Sequence, residues 1–211
     1  LKDTPLYCAA FLGLVKAGAV AIPLNPRLPV ASYVSIFAAA RLSLVVAERE
    51  HASMLSEAHQ LSGTRILASD GEGQTLERLA AAAPDIFAAA PTHRDEPAFW
   101  LFSSGTTGSP KGIIHSHASC ADGGKLLREV IGADEQALVL HTSKLFFTYS
   151  LDNAFLGPIN IGASTILNES WPEPEQIVEQ AARYRPNVVF SVPTFYRRLL
   201  NLGAERLAPL R

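Results

Sequence analysis

Between Trp100 and His117 the chain reads W-L-F-S-S-G-T-T-G-S-P-K-G-I-I-H-S-H. The glycines Gly105, Gly108 and Gly112 let the backbone turn and bring its N–H groups close to a ligand. Ser103, Ser104, Thr106 and Thr107 add hydroxyl donors, and Lys111 adds a mobile positive charge. Such a set suits an anion rich in oxygens, and a polyphosphate fits best. A plain surface hairpin needs one or two turn residues and has no use for Thr106, Thr107 and Lys111 together. The segment is not the strand–loop–helix phosphate loop G-x-x-x-x-G-K-[ST]. Counted from Gly105, the second glycine of that pattern falls on Pro110, and Lys111 is followed by Gly112. The apolar flanks, Phe99–Phe102 and Ile113–Ile114, predict a hairpin over 99–117 with the donors at its tip.

A second constellation is K-L-F-F-T-Y-S-L-D-N, Lys144–Asn153, which follows the apolar run A-L-V-L-H. That order puts aromatics at the carboxyl end of a strand, where ligand crevices of α/β sheets lie. Phe146 and Phe147 fit ordinary core aromatics equally well, whereas the Tyr149 hydroxyl requires a polar partner if buried. His115 and His117 would face the same way on a strand, but no third ligand stands at useful spacing, and no metal site is expected. His117 marks a hairpin-to-helix junction, and His141 fits either core or pocket. His51, His59 and His93 read as surface residues, and Thr194 as the N-cap of F-Y-R-R-L-L with Arg197 and Arg198 facing solvent.

The elements that must hold these groups repeat one grammar: a helix, a stop, then a short buried strand. Helices are predicted over 5–17, 30–41, 53–61 and 173–184, with stops at Gly18, Gly63 and near Pro186. Strands are predicted over 19–24, 42–47, 65–68, 137–141, 163–167 and 187–192, with a loop and then a helical stretch around 152–159 inside the fifth unit. Residues 75–91 read as a surface helix and linker. Continuous apolar strands between helices imply an α/β fold of layered, mostly parallel sheets flanked by helices.

At 211 residues the chain could bury about 70% of its unfolded surface. A hydrophobic share of 48% with 18% charged residues marks a globular protein, and a net charge of −2 gives no electrostatic case for nucleic acid or an anionic membrane. Cys8 and Cys120 lack metal or redox spacing and read as small buried hydrophobes in a reducing compartment. The apolar stretch 5–24 is interrupted by Gly13, Lys16, Gly18 and Pro23, so a membrane span is not expected. Nor is there a secretion signal, and the expected location is cytoplasmic.

The segment S-S-G-T-T-G-S-P-K-G resembles the signature loop of the adenylate-forming superfamily of acyl- and aryl-CoA ligases, luciferases and peptide-synthetase adenylation domains. L-V-K-A-G-A-V-A-I-P-L-N-P-R-L-P is similar to the family's upstream segment, and S-K-L-F-F-T-Y-S-L-D-N-A-F and R-P-N-V-V-F-S-V-P-T-F-Y look most like the benzoate-CoA ligase branch. The resemblance implies an N-terminal adenylation domain spanning 1–211 in part, with the C-terminal domain outside it and the piece alone inactive. It implies that a carboxylate attacks the α-phosphorus of ATP and that coenzyme A then takes the acyl group, with Mg²⁺ as companion of ATP. Ser103, Ser104, Gly105, Thr106, Thr107, Gly108 and Lys111 match the loop, with Thr106, Thr107 and backbone N–H groups on the β- and γ-phosphates and Lys111 assisting. Thr148 and Tyr149 would border the aryl-acid pocket, and Thr148 stands where such ligases often carry a smaller residue. Two alternatives remain open: loading of a carrier protein, and a nucleotide-binding module without catalysis. A kinase-like NTPase is disfavoured by the misplaced Pro110.

Overall fold

Pro5 starts the first helix, α1 (Pro5–Lys16), where its fixed φ suits the first helical position. Gly18, in the left-handed region at φ 74°, turns the chain out of it. The structure is a computed structural model of the chain that describes residues 1–103 and 110–210, without the side chains of 52, 53, 57–59, 61 and 62. His59 and the predicted loop residues Ser104, Gly105, Thr106, Thr107 and Gly108 therefore lie outside the description.

The expected strand over 19–24 is reduced to a single parallel bridge, Ala21 beside Phe99. The Ala21 N–H donates to the Ala98 carbonyl at 3.0 Å and the Trp100 N–H to the Ala21 carbonyl at 2.9 Å. Pro23 and Pro26 lack the amide hydrogens that a longer ladder requires. Helix α2 (Val30–Ala40) ends on Arg41 in the left-handed region and leads to β1 (Leu44–Ala47). Helix α3 (Arg49–Ser62) begins four residues earlier than expected and returns the chain to β2 (Arg65–Ala68), parallel to β1. Residues 75–91 hold the short helix α4 (Leu76–Ala82), where the Thr75 hydroxyl accepts from the Arg78 N–H, followed by an exposed linker.

Strands β3 (Pro97–Ser103) and β4 (Lys111–Ser116) form the predicted hairpin, and helix α5 (His117–Ala121) follows. After a π-helical turn over Leu126–Ile131 comes β5 (Leu138–His141). The next helix starts at Thr148, four residues before the predicted stretch. It runs as α6 (Thr148–Leu151), a π-helical turn (Asp152–Leu156) and α7 (Gly157–Ile161). Strands β6 (Ser164–Ile166) and β7 (Val188–Phe190) flank β5 in one parallel sheet, with helix α8 (Pro174–Tyr184) between them in sequence and α9 (Pro193–Leu200) after them. Thr194 is not the N-cap of α9. Pro193 takes the first helical position and Val192 the cap, because the fixed φ of proline is already helical.

Three apolar clusters hold these parts. The largest joins α1, β3, β5 and the 145–156 segment through Tyr7, Phe11, Phe99, Leu101, Val139, Leu145, Leu151 and Phe155. Phe11 meets Phe99 and Phe155 at ring-centroid distances of 5.6 and 5.5 Å. Tyr33, Ile36, Phe37, Ala47 and Leu55 lock α2 and α3 onto β1, and Leu140, Ile177, Ala181, Phe195 and Leu199 lock α8 and α9 onto β5. No helix among the described residues is long and apolar enough to cross a membrane. Because Phe11 is 4% exposed at the centre of the largest cluster, Phe11→Ala should cost about 3–5 kcal/mol in urea unfolding. Ile86→Ala, at a side chain 90% exposed, should stay within about 0.5 kcal/mol. Equal losses in the two variants would contradict this core.

Candidate active site

The hairpin sets Ser103 directly opposite Lys111, the last described pair before residues 104–109. Both are exposed. The ladder therefore brings Ser103 and Lys111, the two described ends of the Gly/Ser/Thr segment, side by side. Gly112 earns its place through space rather than φ. A Cβ there would meet the Phe102 ring at 3.1 Å and the Trp100 ring at 3.4 Å, so glycine admits two aromatics across the strand pair.

His117 marks the hairpin-to-helix junction as expected, since β4 stops at Ser116 and His117 opens α5, so it does not share a strand face with His115. His115 stacks on Phe99, with ring centroids 4.4 Å apart and planes within 4°. Burial lowers its pKa, and the Asp152 carboxylate opposes that shift. Burial likewise raises the pKa of Asp152, and His115 opposes it. The hairpin and the π-helical turn after α6 thus each carry one member of an interacting charge pair, and no sequence pattern pointed to Asp152.

At the carboxyl end of β5, Thr148 and Tyr149 occupy the first turn of α6, not a loop, and both are exposed. The Tyr149 hydroxyl donates to the Ser191 carbonyl at 3.4 Å, and its ring meets Phe190 edge-on at 5.9 Å. Partial burial and then the neighbouring Tyr196 push its pKa up. The Thr142 and Ser191 hydroxyls lie 2.7 Å apart, tying the ends of β5 and β7 together beneath Tyr149. Phe147 is exposed and Phe146 half-buried, so neither is an ordinary core aromatic. Phe146 meets Phe147 at 4.4 Å and Trp171 at 5.9 Å, and the Arg27 guanidinium covers Trp171 at 3.9 Å.

His141 belongs to the core, at 1% exposure. Its Nδ1 lies 2.7 Å from the Ser143 carbonyl, an oxygen that can only accept, so Nδ1 carries the proton. Nε2 is left as a buried acceptor with no partner among the described residues. Cys8 and Cys120 are half-buried rather than buried, and burial pushes each thiol up to about 11. Arg197 and Arg198 are exposed as expected, with Arg198 paired to Glu173.

Sequence reasoning missed a buried ion pair beside this site. Lys144 Nζ lies 3.0 Å from Asp3 Oδ2, with side-chain exposures of 6% and 2%. Burial raises the pKa of Asp3, and the Lys144 charge opposes the shift. One signal was legible: a lysine directly before the apolar L-F-F must be paired if that run is buried.

The sequence pattern described as AMP-binding enzyme matches residues 1–211 of this chain. The chain belongs to the AMP-binding enzyme family. Among the family's characterised members, it is 36% identical over an alignment of 229 positions to a 3-hydroxybenzoate–CoA/4-hydroxybenzoate–CoA ligase of Thauera aromatica, covering 100% of this chain and 42% of that one. It is 34% identical to a benzoate–CoA ligase of the same organism, covering 94% and 40%. The crystal structure of a benzoate CoA ligase from Burkholderia xenovorans LB400 superposes with a TM-score of 0.87 at 32% identity, covering 96% of this chain and 41% of that one. The α/β arrangement of the expected N-terminal domain is thus the family's own. The chain spans roughly two fifths of the length of these relatives.

Desolvation lowers the His141 pKa from 6.5 to about 4. The unfolded chain then binds more protons than the folded one between those values, so stability should fall as pH drops through that window. The loss should reach about 3 kcal/mol, absent from His141→Gln, when urea midpoints of the two proteins are compared at pH values across it. Parallel pH profiles would refute the assignment.

Proposed function

We propose that this chain is part of an enzyme that activates a benzoate-like aromatic acid with ATP and passes the acyl group to coenzyme A. The observation that carries this reading is the 36% identity to a hydroxybenzoate–CoA ligase across the entire chain. In the first step a carboxylate oxygen attacks the α-phosphorus, the bond to the bridging oxygen breaks, and pyrophosphate leaves. In the second, the coenzyme A sulfur bonds to the acyl carbon as the carbon–oxygen bond to phosphate breaks, releasing AMP.

The chain's own groups serve by position and charge. Ser103, Ser104, Gly105, Thr106, Thr107 and Gly108 supply hydroxyls and backbone N–H groups to the β- and γ-phosphates. Lys111, exposed at the base of the hairpin tip, offsets charge building on the departing pyrophosphate. Thr148 and Tyr149 border the aromatic ring of the acid, with Tyr149 steadied by its contacts to Ser191 and Phe190. Mg²⁺ would travel on the ATP phosphates. Among the described residues no three His, Cys, Asp or Glu side chains gather to hold a metal ion, and no step is assigned to one here. A cytoplasmic setting supplies both ATP and coenzyme A.

In the full-length protein, Lys111→Ala should slow acid-dependent ATP–pyrophosphate exchange about a hundred-fold, and Thr107→Ala about ten-fold. Exchange at the wild-type rate in both would remove the hairpin from the mechanism. Pyrophosphate release should follow addition of benzoate or a hydroxybenzoate, and Thr148→Ala should change which acid is preferred. Silence with every aromatic acid would overturn the reading.

A further inference from the structure

Lys144 lies three residues beyond β5 and four before Thr148, at the point where the chain leaves the sheet. Its ammonium faces Asp3 Oδ2 at 3.0 Å. It also donates to three successive carbonyls, those of Asn168 at 2.6 Å, Glu169 at 3.1 Å and Ser170 at 3.4 Å. Three carbonyl dipoles converging on one point repel each other unless a cation sits there. A compact ammonium with three hydrogens meets that demand, and the planar fork of arginine does not. Asp3 Oδ2 also accepts the Leu145 N–H at 3.1 Å, while the Tyr7 hydroxyl donates to the Leu145 carbonyl at 3.3 Å. Both backbone polar groups of Leu145 are therefore held from the start of the chain.

The carbonyl turn is fastened in its own right. Asn168 Nδ2 donates to the His141 carbonyl at 3.0 Å, and Gln180 Nε2 donates to Asn168 Oδ1 at 2.8 Å. Trp171 follows directly and meets Phe146, which meets Phe147, the residue before Thr148. Lys144 thus stands where two turns are joined, and any displacement there is passed by ring contacts to the first turn of α6. Buried ion pairs contribute little net stability compared with apolar replacements, so this one is poorly explained as a simple stabiliser.

We propose that Lys144 is a positioning residue for acid recognition, an internal cation around which the 144–147 turn is set against the 168–171 turn to place Thr148 and Tyr149. This rests on the reading of those two residues as the border of the acid site.

The test uses the full-length ligase and the ratio of kcat/KM for benzoate to that for 4-hydroxybenzoate, a ratio that a smaller active fraction cannot alter. Lys144→Met should shift this ratio about ten-fold while leaving KM for ATP within about two-fold. Because a lone buried carboxylate could prevent folding, the double variant Asp3→Leu/Lys144→Met replaces the pair with apolar groups of similar size and should show the same shift. In hydrogen exchange, the variants should lose protection over 145–151 and 168–171 but not in β3 and β4. An unchanged ratio, or exchange that rises evenly or nowhere, would overturn the proposal. If the wild type turned over no aromatic acid, the functional reading would fall, and the exchange pattern would still decide whether Lys144 joins the two turns.

Discussion

An ammonium group taken out of water must be surrounded by oxygen, and Lys144 finds that oxygen in places far apart along the chain. One oxygen comes from Asp3, before the first helix, and three from carbonyls 24 to 26 residues downstream. Satisfying one charge therefore brings together the start of the chain, the exit from β5 and the turn after β6. The largest apolar cluster takes its shape around this knot, since Tyr7 and Leu145 belong to both. Loss of either partner would leave the other charge buried and uncompensated, so the two halves of the knot stand or fall together.

The hairpin meets this arrangement from the other side. Strand β3 buries Ala98, Phe99 and Leu101 against α1 and the 145–156 segment, and it accepts Ala21 along its edge. The ladder leaves Ser103 and Lys111 exposed at one end, where an anion can reach them. His115 stacks on Phe99, and the Asp152 carboxylate of the π-helical turn after α6 favours its charged form. The Ser103–Lys111 end of the hairpin, proposed to hold phosphate, and the first turn of α6, proposed to border the acid, thus belong to elements packed on one core, a geometry suited to aligning a carboxylate with a nucleotide.

Much of this was legible in the chain. Gly18, Gly63 and Pro186 marked helix ends that the structure confirms, because glycine and proline act through local backbone preferences. The hairpin over 99–117 appears as strands 97–103 and 111–116, as its apolar flanks and glycine-rich centre required. Misreadings arose where local signals competed. Threonine is a good cap, yet Pro193 claimed the helix start. An apolar run over 19–24 looked like a strand, yet its prolines left one bridge. Thr148 and Tyr149 looked like loop residues because nothing nearby announced a helix, and α6 is held by packing of Ser150 and Leu151 beneath it.

By itself the sequence determined the family, since the S-S-G-T-T-G-S-P-K-G segment and its flanks are local patterns, and the proposed grip on phosphate rests on those same glycines, hydroxyls and lysine. It also determined most helix ends and the α/β character, since these follow from short-range periodicity. Only the tertiary structure decided which buried groups would answer one another. Asp3 meets the Leu145 amide across 142 positions, and His141 settles in the core with one nitrogen unpaired among the described residues. No spacing rule spans such distances, because the pairing is fixed by which surfaces exclude water together rather than by neighbours along the backbone.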